Sequence, residues 1–443
     1  MRFGFAKTDI TPRVGVELSG FGAFINRHSI AVRDRLWSRA MAVEQDGKTL
    51  ILSGNDLVGI TAPATGRVRE LVGSATGVEA DAVMVHCTHT HSGPATAGYH
   101  GWGEPDPPYL ELLPDRIAAA CIEAVDSLQE ATLSHAEVPC EGIGLNREYD
   151  KDAPPLDDVL CDDWRPAKPE LTDTTCHVMT VRGGDRLIGF LSYFGCHPVV
   201  CCAQTRYIHG DYAGVATNML EREHPGSVGL FLQGAQGDVN SCVVHKAEQE
   251  SLLALDVIAA RYARSVREGM RCAQPIEADA LAWTLQQVTF SRKALGIDYF
   301  REKLAEQEAI MHAPGASDAS REVRLAMVYA LAYRRLIAAT QAGESLEPPT
   351  ELQGLRVGPI AFLASPFETF QAIKNDVRQG ARSPIALVMG ITNDTLGYAP
   401  DRTAAERGGY AADTVPLILG TLPFAGIHDE LVKGLLVVEE ELY

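Results

Sequence analysis

Apolar runs that end abruptly in turns set the fold class of this chain. "DAVMVHCT", "RLIGFLSYFGC" and "SVGLFLQG" read as buried strands, each running straight into polar or glycine-rich sequence. Between them lie stretches with helical spacing, "APATGRVRELVG" and "YLELLPDRIAAACIEAVDSL", the second carrying Pro114 as an expected interruption. "RAMAVEQ" and "KTLILSGNDLV" flank Asp46-Gly47, a strong hairpin signal. Alternation of this kind predicts an α/β protein with a mixed β-sheet.

The pattern continues along the chain. "ATLSHAEVPCEGIG" and "HVMTVRG" read as strands, residues 245–272 and 295–342 as helices broken at "APGASD", and "GLRVGPIAFLAS" and "SPIALVMGITN" as strands again. Residues 147–173 are acidic and proline-rich, which predicts a surface loop or lid. No repeat or low-complexity linker divides the 443 residues. They read as one catalytic α/β domain, 1–443, with a helical elaboration at about 245–342.

Charge and composition narrow the partners. The formal net charge is -19, from 58 acidic and 39 basic residues, which disfavours nucleic acid and anionic membranes. No run approaches the roughly 18 apolar residues of a membrane span. The N-terminus lacks the apolar core of a signal peptide. Ten cysteines without a CxxC pair are too few for a disulfide scaffold and read as reduced, buried thiols. These features predict a cytoplasmic protein acting on a small molecule, with homo-oligomerisation left open.

Five strand ends carry residues with chemical capacity. "THTHSGP" places His89 and His91 two apart, on one face if the backbone is extended, as metal ligands or as hydrogen-bonded loop residues. "SYFGCHPVV" ends a strand at His197, and Asp211 in "HGDYAG" either orients a ligand or caps a helix beginning near Ala213. "FLQGAQGDVNSC" is a glycine-rich turn without the Lys-Ser/Thr of a phosphate loop. Glu368 in "ASPFETF" follows an apolar strand, and Tyr398 and Tyr410 flank an exposed charged stretch. The loop 94–108, "PATAGYHGWGEPDPP", brings His100, Trp102, Glu104 and Asp106 and reads as the lining of a polar pocket, with Trp102 against substrate.

Taken in order, these pieces resemble the neutral/alkaline non-lysosomal ceramidase family, its N-terminal catalytic domain only. The resemblance runs from "DITP" and "RDRLWSRAMAV" through "THTHSGP", "LNR", "FGCHPVV", "GDYAG" and "QGDVN" to "SPFET" and "GYAPDRTAAERGGYAADT". It implies one Zn²⁺ per chain held by His89, His197, Glu368 and Tyr398, with His91, Arg147 and Tyr410 contacting substrate. Two departures stand out. Where the family carries GDVSPN with an essential Ser, this chain has "GDVNSC", so Asn240 occupies the Ser position and Ser241 follows it. The C-terminal immunoglobulin-like domain of the long ceramidases is also expected to be absent.

The residues and the resemblance together predict a zinc-dependent hydrolase that cleaves an amide (C–N) bond of a small, polar N-acyl substrate. His91 would move a proton, and Tyr410 or Asn240 would stabilise the oxyanion. Arg147 would anchor a polar part of the substrate. Two alternatives stand beside this. The same site would act on an ester, lactone or glycosidic bond or in a non-hydrolytic reaction, or the chain would be an inactive, metal-stabilised binding protein. The donor set also suits Mn²⁺ or Fe²⁺.

Overall fold

Asp46 and Gly47 form the expected tight turn between the strands Trp37–Gln45 and Lys48–Asn55, both at positive φ, +53° and +78°. The computed structural model describes residues 1–97, 99–150 and 154–443. The hairpin belongs to a five-stranded sheet in the order Val83–Cys87, Lys48–Asn55, Trp37–Gln45, Arg2–Asp9, Gln129–Glu130. A second sheet runs Val228–Gln233, Arg186–Phe194, Thr175–Gly183, Thr132–Pro139, Gln274–Pro275. A third runs Leu281–Val288, Thr350–Val357, Ile360–Ala364, Ile385–Met389. The chain is mixed α/β, as its alternation predicts.

Each of these sheets is antiparallel except for one parallel pair at an edge. The pairs are Lys48–Asn55 with Val83–Cys87, Arg186–Phe194 with Val228–Gln233, and Ile360–Ala364 with Ile385–Met389. Their C-terminal ends are stitched together. The Cys87 N–H donates to the Ile391 carbonyl at 3.1 Å, the Gln233 N–H to His86 Nε2 at 2.8 Å, and the Gly390 N–H to the Gln233 carbonyl at 3.3 Å. Carboxyl ends of parallel strands are where α/β folds place ligands, because the connecting loops there are held by a rigid sheet.

The three sheets share one core, in which Phe3, Met41, Leu133, Met179, Leu191 and Phe362 meet. Truncating a buried phenylalanine such as Phe362 to alanine costs about 3–5 kcal/mol, so this junction contributes much of the stability.

Three details differ from the sequence reading. Pro114 does not interrupt its helix, which runs unbroken from Pro107 to Asp126. The proline belongs to the face that also buries Leu113, Ile117 and Cys121, and packing on the first sheet offsets the missing backbone donor. The helices fall where expected, but a strand not read from the sequence lies between them. Glu248–Cys272 packs on the second sheet, Leu281–Val288 is a strand, and Ile297–Met311 pairs with Arg321–Ala342. The strand Arg2–Asp9 is not evident from an apolar run, since "RFGFAKTD" mixes charge into its exposed face. No described helix is long and apolar enough to cross a membrane.

Candidate active site

The strand Val83–Cys87 delivers "THTH" to the point where the sheets meet. His86 ends up elsewhere from the two histidines that follow it. It is fully buried, with Nδ1 3.0 Å from Thr392 Oγ1 and Nε2 accepting from Gln233, and it serves as a bolt between sheets. His89 and His91 do converge, but not along an extended backbone. His89 has φ +69°, a left-handed turn that a non-glycine residue adopts only when its surroundings enforce it. That turn places His91 Nε2 3.2 Å from His89 Nε2.

His89 and His197 are oriented in the same way. Nδ1 of His89 donates to the Val58 carbonyl at 2.6 Å, and Nδ1 of His197 to the Gln236 carbonyl at 2.7 Å. A carbonyl only accepts, so each Nδ1 carries the proton and each Nε2 presents its lone pair. Both lone pairs face one carboxylate oxygen, Oε2 of Glu368, at 3.4 Å from His89 and 2.8 Å from His197. Burial raises the Glu368 pKa, but His89 and His197 beside it win and hold the carboxyl well below its ordinary range. Burial, with Arg147 nearby, pulls His197 down to about 4. His91 is also held well below its ordinary value, by burial first and then by its two histidine neighbours.

The other expected residues gather around this point. Glu368 and Tyr398 stand opposite each other in a short parallel pair, Glu368–Thr369 with Tyr398–Ala399. Gly237 packs so closely on that strand that a Cβ there would lie 2.3 Å from the Glu368 carbonyl oxygen. The Arg147 guanidinium stacks 5.0 Å over the Tyr398 ring and donates from Nη2 to the Gly237 carbonyl at 2.5 Å. Burial opposes the charge of Arg147, yet Tyr398 and Glu368 raise its pKa. Burial also raises the Tyr398 and Tyr410 hydroxyls, keeping both protonated at neutral pH. Tyr410 is 52% exposed as a residue, but its ring lies 6.0 Å from that of Tyr398 and lines the same cavity.

Asn240 also lines the cavity, on the strand Val239–Ser241. Its Oδ1 accepts from Arg147 Nη1 at 3.4 Å, which leaves Nδ2 as the donor available to a ligand. Ser241 points away, fully buried, with Oγ accepting from the Val243 N–H at 3.3 Å.

Three expectations need correcting. Asp211 neither caps a helix from outside nor orients a ligand. It opens the helix Asp211–Glu223 at φ +50° and accepts the N–H groups of Val200, Cys201 and Tyr212. It thus clamps the turn that follows His197, and burial raises its carboxyl to about 6. Of the four loop residues expected in a polar pocket, only Trp102 reaches the cavity. His100 is exposed, the Glu104 N–H is held by Glu17, and Asp106 pairs with Arg13. The stretch 147–173 is not a lid. Beyond Arg147, none of its described residues lines the cavity, and residues 151–153 lie outside the described ones.

The cover comes instead from the start of the helix Arg321–Ala342, through Arg321, Leu325 and Tyr329, and from Val415, Ile418 and Leu419. The cavity they close has a volume of about 580 Å³. Polar side chains, among them His91, Arg147 and Glu368, and apolar ones, among them Leu325, Val415 and Ile418, line it together. Phe21, Tyr99 and His245 also line it, and no sequence signal marks them. The Val58 and Gln236 carbonyls are equally silent in sequence, because any residue supplies one.

This donor set fits a metal ion. Ligand atoms that share a zinc at about 2.0–2.2 Å in a tetrahedron lie roughly 3.3 Å apart. Glu368 Oε2 stands 3.4 Å from His89 Nε2 and 2.8 Å from His197 Nε2, and His89, His91 and His197 have ligand atoms within 4.8 Å of one another. Both imidazoles also carry the carbonyl partner that metal-bound histidines need to fix their tautomer. In another buried group, Cys201, His209 and Asp211, the Asp211 carboxylate and His209 Nδ1 already accept backbone N–H groups.

Comparisons with known proteins bear on the fold and the family. The fold is similar to that in "Crystal Structure Analysis of neutral ceramidase from Pseudomonas aeruginosa", with TM-score 0.74 and 19% identity over 100% of this chain and 75% of that one. It is also similar to "Ceramidase complexed with C2", with TM-score 0.75 and 18% identity over 99% of this chain and 74% of that one. At such identities the likeness establishes the fold. A search of curated proteins finds no match. The family described as "Neutral/alkaline non-lysosomal ceramidase, N-terminal" matches residues 1–251, more than half of the sequence. The chain therefore belongs to the neutral/alkaline non-lysosomal ceramidase family.

Proposed function

We propose that the chain is a zinc-dependent hydrolase that cleaves the amide bond of a small N-acyl substrate. One observation carries the reading: the Nε2 atoms of His89 and His197 face a single Glu368 oxygen at the floor of a cavity of about 580 Å³. That size suits a ligand of ordinary small-molecule dimensions. The apolar wall of Leu325, Val415, Ile418 and Leu419 suits an acyl group, and Arg147 with Asn240 suits a polar group beyond the amide. The substrate is thus amphipathic rather than polar throughout.

His89, His197, Glu368 and Tyr398 would hold the ion. Bound there, zinc would supply hydroxide at neutral pH by lowering the pKa of water to about 7 and would polarise the acyl carbonyl. Arg147, fixed by the Gly237 carbonyl and Tyr398, orients the substrate. Asn240 Nδ2 and the Tyr410 hydroxyl donate to the oxygen on which negative charge develops. His91, neutral and with Nδ1 unengaged, takes up a proton and returns it to the leaving amine. Ten unpaired thiols, eight of them buried, support the cytoplasm as the compartment we propose.

The test is a panel of N-acyl amides graded in acyl length, with matching esters and lactones. The proposal expects chelator-sensitive amide hydrolysis restored by Zn²⁺, strongest for a medium acyl chain on a polar amine. Efficient ester or lactone turnover with no amide turnover would overturn it.

A further inference from the structure

Away from the catalytic cavity, two neighbouring strands bring together three side chains with metal-ligating atoms. Thr132–Pro139 pairs antiparallel with Thr175–Gly183, so that Glu137 stands opposite His177 and His135 opposite Met179. Side chains alternate along a strand, so His135, Glu137 and His177 share one face. The other face, with Ala136, Val138 and Val178, is sealed against the helix Glu248–Cys272. The triad therefore does nothing for that core.

The distances are those of a ligand set. Nε2 of His135 lies 3.2 Å from Nδ1 of His177, and Oε1 of Glu137 lies 3.5 Å from the same Nδ1. Donors sharing one ion at about 2.0–2.2 Å stand close to this spacing. The spacing matches that of His89, His197 and Glu368 in the cavity. A hydrogen bond between the two imidazoles engages one lone pair and leaves the carboxylate beside Nδ1 unexplained.

The surroundings suit an ion that enters from solvent. The His177 side chain is 2% exposed and Glu137 is 48% exposed, which gives one deep ligand and an open side for water. His177 sits edge-on to Tyr193, with ring centroids 5.6 Å apart, which fixes its plane. Burial holds His177 at about 3 and lowers His135, so both imidazoles are neutral at pH 7, the form that binds metals. Two cations also depress His177. Lys374 is paired with Asp173 at 3.2 Å, and Arg378 is exposed at the end of the helix Gln371–Gly380.

We propose that His135, Glu137 and His177 form a second divalent transition-metal site, separate from the cavity, which takes Zn²⁺ or a similar borderline cation with water completing its shell. None of the three lines the cavity, so the site does not depend on the catalytic reading.

The experiment dialyses the full chain against micromolar Zn²⁺ and counts zinc per chain in wild type, His135→Asn, Glu137→Gln and His197→Ala. The expected counts are two in wild type and one in each variant, with hydrolysis unchanged within twofold in the first two variants. A wild-type count retained by both His135→Asn and Glu137→Gln overturns the second site. A wild-type count retained only by His197→Ala overturns the catalytic site instead. Co²⁺ added to the His197→Ala protein gives an independent reading, because its visible absorption reports the remaining site alone. That band is expected to shift or vanish when Glu137→Gln is added, and an unchanged band counts against the proposal.

Discussion

His89 and His91 stand with their Nε2 atoms 3.2 Å apart, yet only His89 has its far nitrogen held by a carbonyl. Nδ1 of His91 is buried and has no partner among the described residues. A side chain that must hold a metal is fixed at both ends, whereas one that must gain and lose a proton is left free at one. His91→Gln is therefore expected to keep its bound zinc while kcat falls by about 10²–10⁴-fold. Zinc content measured beside kcat checks this, and loss of the metal would make His91 a ligand.

Asn240 replaces the serine of the family motif and points into the cavity with Nδ2 free to donate. Removing one donor to a developing oxyanion typically costs about 10²–10³-fold in kcat. Asn240→Ala is expected to fall in that range with zinc retained. A kcat within threefold of wild type excludes Asn240 from the role.

The segment that supplies the Val58 carbonyl is anchored by a buried ion cluster. Arg39 donates to Asp56 at 2.8 Å and to Glu221 at 3.1 Å, all three side chains being nearly inaccessible. Arg39→Met leaves Asp56 buried without a counter-charge, while Glu221 keeps Lys7 at 2.6 Å, and a loss of about 3–5 kcal/mol follows. Urea unfolding measures it, and a loss below about 1 kcal/mol would mean that water already solvates the cluster.

How much of this was legible in the sequence depends on what each residue does. Strand ends were readable because an apolar run stops where the backbone meets a polar turn, and His197 and Glu368 sit at two such stops. His89 was readable as a candidate, although its left-handed backbone was not, because that conformation is imposed by the sheets around it. Arg321, Leu325 and Tyr329 were illegible. Their positions follow from how a distant helical pair folds over the cavity, and no local pattern encodes that. Trp102 was found by composition, and its neighbours His100, Glu104 and Asp106 show how little composition says about direction.

Burial at His209 predicts a pH effect with a definite sign. Burial, with Arg33 and Arg27 beside it, lowers this imidazole to about 3, so it stays neutral in the fold while the unfolded chain takes up a proton below about 6.5. Its contribution is thus complete above pH 6.5 and is lost on acidification towards 3. Asp211, raised to about 6, works in the opposite direction between about 3.8 and 6, but it is common to wild type and variant and cancels in their difference. His209→Asn keeps an acceptor for the Asp211 N–H. Relative to this variant, wild type should lose about 2 kcal/mol between pH 7 and pH 5. Urea midpoints at the two pH values check it, and a constant difference contradicts it.

Strand ends 171 residues apart, at His197 and Glu368, build the zinc site proposed here, and hydrolysis depends on it. Elemental analysis of purified wild type and His197→Ala, each assayed on the same N-acyl amide, tests it most directly. One zinc fewer per chain in the variant and no measurable hydrolysis are expected. Equal zinc in the two proteins, or hydrolysis that survives the loss of the metal, would contradict it.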